Sequence, residues 1–208
     1  MTNGYLKVVW SAAAVLAAGI LIVATPAAAP STPLGIGTGK LTIAGTSNIH
    51  AYTASTTAIR LTRVQLGAIP AGDLLENAFK PGVVEAFEVA IAAKSLASEK
   101  DGLDKNMHNA LKAAEHPDIT FKLLRFENKP APGTGLRAIG VLRVAGVDRQ
   151  VAIDITSEHK DAALIVKGTL ALLMTDFGIA PPKAMMGMLK TDPKVTITFE
   201  VAVAANLT

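Results

Sequence analysis

The sequence contains no cysteine among its 208 residues. This absence excludes disulfide bonds, catalysis by a thiolate and zinc sites built on cysteine. It also excludes the lipid-anchored lipoproteins, whose mature chains begin with a cysteine. An exported domain of this composition has to be stabilised by its hydrophobic core alone.

Aromatic residues and net charge are also scarce. Phe, Trp and Tyr make up 4% of the chain, although half of all residues are hydrophobic, and the net charge is +3. Lys7 is the only charged residue among residues 1–29, so loss of that segment would leave +2. A charge this small does not indicate a nucleic acid or an anionic membrane surface as a partner.

Residues 1–29 have the layout of a secretory signal peptide. One lysine precedes an apolar run, residues 8–23, and a tail of small residues follows. The run is rich in alanine and shorter than the roughly 20 residues of a membrane-spanning helix. We predict a periplasmic or secreted protein after cleavage; the alternative is an uncleaved N-terminal helix that anchors it to the membrane. Residues 30–39 are predicted as a spacer and residues 40–205 as the folded domain.

Most of the chain beyond residue 40 alternates between apolar and polar residues with a period of two, which is typical of β-strands. In the last such segment, Val195, Ile197 and Phe199 fall on one face, whereas Thr196 and Thr198 fall on the other. About eight segments of this kind, separated by turn signals, predict an all-β sandwich or barrel.

One segment breaks this period and predicts a short helix. Helical spacing relates five of its apolar residues: Leu103, Met107, Ala110, Leu111 and Ala114. Asp101 is a candidate cap, with Asp104 three residues further on. Pro117 disfavours helical backbone at His116, so the helix is predicted to stop there.

The four histidines do not have the spacing of a metal site. His108 and His116 lie on and just after the predicted helix, His50 follows a turn, and His159 lies in a charged loop. Zinc requires three or four ligands brought together by local structure. We therefore predict no metal site and no catalytic residue. The chain also lacks a nucleophile elbow and a complete phosphate-binding loop, so we predict that it is not an enzyme.

The apolar surplus indicates a binding cavity instead. Barrels of about eight strands are either filled by their own side chains or hold one small ligand. Residues 177–190 are rich in methionine, which is common at adaptable binding surfaces. This segment is predicted to form the mouth of a lipid cavity or, alternatively, a plug at one end of the barrel.

Four motifs follow one another along the chain. They are GTSNIH, DKNMHNALKAAEHPDITFKL, GVLRVAGVDRQVAIDI and MTDFGIAPPKAMMGMLKTDPKVTITFEV. Together they resemble the YceI family, and the resemblance covers residues 40–204. In the first motif Asn48, Ala51 and Tyr52 stand where the family often has Thr, Asp and Trp.

The resemblance implies a lipocalin-like, extended antiparallel β-barrel with a short helix packed outside it. It also implies that an apolar chain, such as a polyprenyl or isoprenoid quinone tail, lies in the pore. It implies no cofactor beyond such a bound lipid. We therefore predict an exported carrier or binding protein for a long-chain amphiphile, in transient contact with a membrane. The alternative is a ligand-free structural or stress-related barrel with a self-filled core, and the oligomeric state is left open.

The predicted ligand-binding residues come from the apolar faces of the central and C-terminal strands and from the methionine-rich segment. They are Phe87, Val89, Ile119, Phe121, Leu142, Leu170, Leu172, Phe177, Met185, Met186 and Phe199.

Overall fold

A computed structural model describes residues 34–129, 135–184 and 188–206. Two α-helices occur in these ranges, α1 (Leu74–Ala78) and α2 (Asp101–Ala110), with short 3-10 helices at Ala93–Ser95 and Met174–Phe177. The strands are β1 (Leu34–Ser47), β2 (Ala51–Thr56), β3 (Ile59–Leu66), β4 (Val84–Ala92), β5 (Asp118–Asn128), β6 (Leu136–Val144), β7 (Val147–Lys160), β8 (Ala163–Leu173), β9 (Lys183–Ala184) and β10 (Leu189–Ala205).

Nine strands form one antiparallel sheet that curls into a barrel. Their order is β2-β1-β10-β8-β7-β6-β5-β4-β3, and the two-residue β9 pairs with β10 off this path. The edge strands β2 and β3 follow each other in the chain, with only Thr57 and Ala58 between them. This corner carries the chain from one edge of the sheet to the other. The predicted all-β antiparallel barrel is confirmed, with nine strands in place of about eight.

The period-two patterns place their apolar residues on the inner face of the barrel. In β10, Val195, Ile197 and Phe199 face the interior. Thr198 and Glu200 are exposed on the outside, where Glu200 lies 3.3 Å from the ammonium group of Lys167 on β8. Alternation of this kind is expected for strands with one buried face and one face in water.

Helix α1 closes one end of the barrel, and the sequence patterns do not predict it. The Asp73 carboxylate caps the helix by accepting a hydrogen bond from the Glu76 backbone N–H at 3.0 Å. Asn77 is buried and donates to the Pro70 carbonyl at 3.1 Å. The helix buries Leu75 and Ala78 in a core cluster whose other members include Leu34, Leu164 and Val203.

The predicted spacer is wrong in part, because β1 begins at Leu34. This residue is 1% exposed and pairs with Ala205 near the end of β10. Gly35 and Gly39 pair with β10, and Gly37 and Thr38 lie between them where the register shifts. The Gly/Thr-rich composition of residues 35–39 therefore concealed an irregular strand. The predicted signal peptide lies outside the described residues.

Helix α2 is confirmed as a short helix, but its ends differ from the prediction. Lys100, not Asp101, precedes the first turn and provides no side-chain cap. The Asp104 carboxylate instead accepts a hydrogen bond from the Ser98 backbone N–H at 2.8 Å. The helix ends at Ala110, well before His116, and Lys112 has a φ of 51° in the left-handed region.

Because the helix ends early, the predicted apolar stripe does not continue to Ala114. Ala114 is exposed, and Ala113 is buried in its place. None of the helices in the described part of the chain is long and apolar enough to cross a membrane.

Candidate lipid-binding cavity

The barrel encloses a cavity of about 460 Å³ with apolar walls. It runs from Phe79, beside α1, to the inner side of α2, whose Leu103 and Met107 line it. Six of its forty lining residues carry polar side chains: Ser47, His50, Tyr52, Lys100, Asn106 and Thr191. A volume of this size falls in the range of sites that hold a small molecule.

The structure brings together nine of the eleven predicted ligand-binding residues. Met185 and Met186 lie outside the described residues, so their positions are not part of this site. The nine that line the cavity are Phe87, Val89, Ile119, Phe121, Leu142, Leu170, Leu172, Phe177 and Phe199. Their contact with a ligand stays a prediction.

Glycines in the wall keep the cavity open, because aromatic rings rest against them. A Cβ atom added to Gly168 on β8 would overlap the ring of Phe199 on β10, its direct cross-strand partner. A Cβ atom added to Gly140 on β6 would likewise overlap the ring of Phe121 on β5, although the direct cross-strand partner of Gly140 is Leu123. An aromatic ring that covers a glycine on the neighbouring strand is a known means of stabilising that position. Both rings therefore lie along the wall rather than across the cavity.

Tyr52 repeats this arrangement at the α2 end of the barrel. Its ring covers Gly45, which is its cross-strand partner on β1. Burial, and secondarily the negative charge of Asp192, raise the pKa of the Tyr52 hydroxyl above its usual value. The hydroxyl is therefore a hydrogen-bond donor at neutral pH, and within the described residues it forms no hydrogen bond.

The six polar lining residues all lie at this α2 end. They come from the end of β1 and the start of β2, from the first turns of α2, and from the start of β10. The side chains of His50, Lys100 and Asn106 have no hydrogen-bond or ion-pair partner in the described part of the chain. By contrast, Asn48 and Asp104 near them are both bonded to backbone groups. The cavity thus has an apolar interior and a polar rim.

Two of the histidines weighed as metal ligands have structural contacts. His108 lies 2.8 Å, through Nε2, from the carbonyl oxygen of Leu96. The ring of His116 covers Gly146 in the β6–β7 turn, where φ is 81° and a side chain could not be accommodated. No group of three His, Asp or Glu residues within residues 34–129, 135–184 and 188–206 could hold a metal ion.

Phe177 and Ile179 combine the two roles predicted for the methionine-rich segment. Phe177 is 2% exposed, and both residues pack in a second core cluster with Leu142 and Val144. Both also line the cavity. The first residues of the segment therefore close part of the α2 end while contributing to the wall.

The sequence prediction missed the part of the cavity that α2 contributes. Leu103, Met107, Ala110 and Leu111 line the cavity, together with residues of the strands. The signal that could have identified them was present, because these are four of the five residues in the apolar stripe of the predicted helix. The helix lies outside the sheet, as predicted. Its apolar side covers an open end of the barrel and so lines the cavity, which was not predicted.

Comparison with known proteins identifies relatives of this fold. A family model described as a YceI-like domain matches residues 53–203. The Burkholderia cenocepacia protein BcnA is similar in structure, with a TM-score of 0.62 and 16% identity over 80% of this chain and 96% of that chain. A polyisoprenoid binding domain from Saccharophagus degradans, implicated in plant cell wall breakdown, has a TM-score of 0.59 and 12% identity over 84% of this chain and 99% of that one.

A third similar structure is the Campylobacter jejuni YceI protein. It has a TM-score of 0.50 and 16% identity over 72% of this chain and 85% of that chain. Comparison with curated proteins returns no match. The family model spans well over half of the sequence, and the structures share its barrel. The chain therefore belongs to the YceI-like domain family.

Proposed function

We propose that this protein binds one long-chain amphiphile, such as a polyisoprenoid or an isoprenoid quinone, and carries it outside the cytoplasm. The observation that supports this function best is the 460 Å³ cavity, whose walls are apolar except at one rim. A structural relative is itself described as a polyisoprenoid binding domain. Export is proposed from the signal-like segment at residues 1–29.

The cavity volume bounds the part of the ligand that is enclosed. If each carbon of the chain takes roughly the 30 Å³ share of a water molecule in the liquid, the cavity holds on the order of 15 carbons. At about 0.8 kcal/mol per methylene, their burial contributes about 12 kcal/mol. Association and ordering oppose binding by about 4–15 kcal/mol. Burial of the tail is therefore the main favourable contribution, and polar contacts adjust affinity and orientation.

The polar rim favours one orientation of the amphiphile. Its tail would extend towards Phe79 and α1, where the lining is apolar, and its head group would lie near Tyr52, His50 and Asn106. The Tyr52 hydroxyl and the Lys100 side chain are hydrogen-bond donors, so the rim suits a head group with acceptor oxygens, such as a carbonyl, hydroxyl or carboxylate.

The alternative, a structural barrel filled by its own side chains, agrees less well with this geometry. A self-filled barrel would have bulky side chains projecting across the interior from opposite walls. Here Gly168 and Gly140 allow Phe199 and Phe121 to lie against the wall. Gly168 and Gly140 favour a binding protein, because a larger side chain at either position would fill part of the cavity.

Replacing Tyr52 with phenylalanine is expected to weaken binding of an amphiphile that has an acceptor head group. One neutral hydrogen bond contributes about 0.5–1.5 kcal/mol, so the dissociation constant for a C20 isoprenoid alcohol should rise by about two- to twelvefold. The measurement is a titration of delipidated protein with this alcohol and with the hydrocarbon of the same tail that lacks the hydroxyl.

Thr198→Val is the matched control, because it removes an exposed hydroxyl from the outer face of β10. It should change neither affinity. The affinity for the hydrocarbon should also be the same in Tyr52→Phe and in the original protein. An equal loss for alcohol and hydrocarbon would mean that Tyr52 acts on the shape of the cavity, and the proposed orientation would then be wrong.

A further inference from the structure

The turn between β1 and β2 exposes an apolar residue at its tip. Ser47 and His50 close the turn, since the Ser47 N–H donates to the His50 carbonyl at 2.9 Å and the Ser47 Oγ donates to the same oxygen at 2.9 Å. The Ser47 Oγ also accepts from the His50 N–H at 3.1 Å. Ile49 lies at the tip and is 59% exposed. Turn tips are ordinarily polar, so an isoleucine held outwards there is unusual.

Asn48 binds this turn to a second segment that also exposes an apolar side chain. Its amide nitrogen donates to the Met188 carbonyl at 2.9 Å, and its amide oxygen accepts from the Lys190 N–H at 2.8 Å. A third bond joins the Asn48 N–H to the Lys190 carbonyl at 3.1 Å. Met188 is 69% exposed, the largest value among the exposed large hydrophobic residues of the described chain.

Ile49 and Met188 together form what we term the mouth lip. The residues beside them in the chain belong to the cavity rim, because Ser47, His50 and Thr191 all line the cavity. The lip is therefore continuous with the site to which we assign the amphiphile. Asn48 donates two hydrogen bonds and accepts one, and these bonds join the two segments whose apolar side chains are exposed.

We propose that the mouth lip inserts into the surface of a lipid bilayer and positions the cavity mouth against it. This inference rests on the proposed function: an amphiphile with a long apolar tail is stored in bilayers and leaves them most readily into an apolar cavity held at their surface. Exposed apolar surface rimmed by polar residues marks interaction sites, membranes included, and here two apolar side chains are joined beside a polar rim.

The charges around the lip indicate which lipids it recognises. Lys100 is exposed at the rim and Lys190 is exposed two residues after Met188, and Asp101 and Asp192 are exposed near them in the chain. The charges of these four residues balance, so their attraction to anionic head groups contributes little. The lip should bind zwitterionic and anionic bilayers similarly, because the apolar contact is common to both.

The test uses vesicle flotation with Ser31–Thr208, which forms a compact unit that contains both core clusters. Leaving out residues 1–30 removes an apolar run that would itself bind vesicles. The unit is expected to float with vesicles of phosphatidylcholine, with or without phosphatidylglycerol. The double variant Ile49→Asp/Met188→Asp should lower the vesicle partition coefficient by about tenfold or more, from the lost burial of two apolar side chains.

The matched control is Ile69→Asp/Leu124→Asp, which places the same charges at residues 42% and 47% exposed elsewhere on the barrel. It should bind vesicles like the original protein. Both double variants should retain bound amphiphile on gel filtration. This measurement separates the present inference from the proposed function. If the original protein carries no amphiphile, the proposed function is wrong, independently of the flotation result.

Equal flotation of the lip variant and the original protein would overturn the membrane assignment. So would an original protein that does not float but forms a dimer that the lip variant loses, because the lip would then be a contact between two copies of the chain.

Discussion

Gly168→Ala is expected to narrow the cavity and release most of the bound amphiphile. The added methyl group would overlap the Phe199 ring, and Ile153 Cγ2 would lie 3.2 Å away. The ring can yield only by turning into the cavity, where the tail would lie. Overpacking of this kind costs about 1–3 kcal/mol of folding stability. Retained amphiphile, measured by extraction after gel filtration, should fall severalfold, and urea unfolding should report the loss of stability.

Gly37→Ala provides the control, because a Cβ there would meet only the Ala202 carbonyl oxygen at an ordinary 3.9 Å. A rescue variant tests the mechanism. In Gly168→Ala/Phe199→Leu the overlapping ring is gone, so the two substitutions should be less destabilising together than the sum of their separate effects, by about 0.5–3 kcal/mol. Additive effects, or full amphiphile retention in Gly168→Ala, would show that the ring does not border the ligand.

Leu34→Ala is expected to give the largest loss of stability in this account, about 2–5 kcal/mol. Leu34 is 1% exposed and packs with Leu75 and Val203, so truncation leaves a cavity beneath α1. The measurement is the free energy of unfolding in urea. Thr38→Ala, exposed on the same strand, should change it by less than about 0.5 kcal/mol.

A Leu34→Ala variant as stable as the original protein would mean that β1 does not anchor this end of the barrel. The predicted spacer would then describe residues 34–39 better than a strand does. The two outcomes differ by about 2–5 kcal/mol in the free energy of unfolding, which is larger than the error of extrapolating that energy to water.

Local alternation was sufficient to predict which side chains face the cavity. Leu170 and Leu172 on β8, like Ile119 and Phe121 on β5, were assigned to the inner face from the period of two alone, and the structure places all four in the lining. A slip of one residue would have reversed each assignment. Large apolar residues alternate regularly over Ile119–Leu123 and Leu170–Leu172, although each strand continues into two adjacent leucines, Leu123–Leu124 and Leu172–Leu173.

Features that depend on distant parts of the chain could not be predicted in the same way. Helix α1 is five residues long, too short for a periodic signal, and is held by Asn77 and by core contacts with β1 and β10. The pairing of Gly168 with Phe199 is visible only once β8 and β10 are neighbours in a known register. The same holds for Asn48, whose partners Met188 and Lys190 lie about 140 residues further along the chain.

The polar rim could not be predicted from the sequence for a related reason. Tyr52, Asn106 and Thr191 come from three separate elements and form no sequence motif. Each alone is an ordinary exposed or half-buried polar residue. Only the curvature of the sheet brings them to one end of the cavity, and only there does the absence of side-chain hydrogen bonds to the described residues acquire a functional meaning.

The most direct test of the central claim is native mass spectrometry of the protein purified from its own host, combined with organic extraction of the same sample. The account predicts one amphiphile per chain, with an apolar tail of at least about 15 carbons and a head group that carries an acceptor oxygen. A protein whose native mass equals that of its chain alone, and whose extract contains no such molecule, would contradict it.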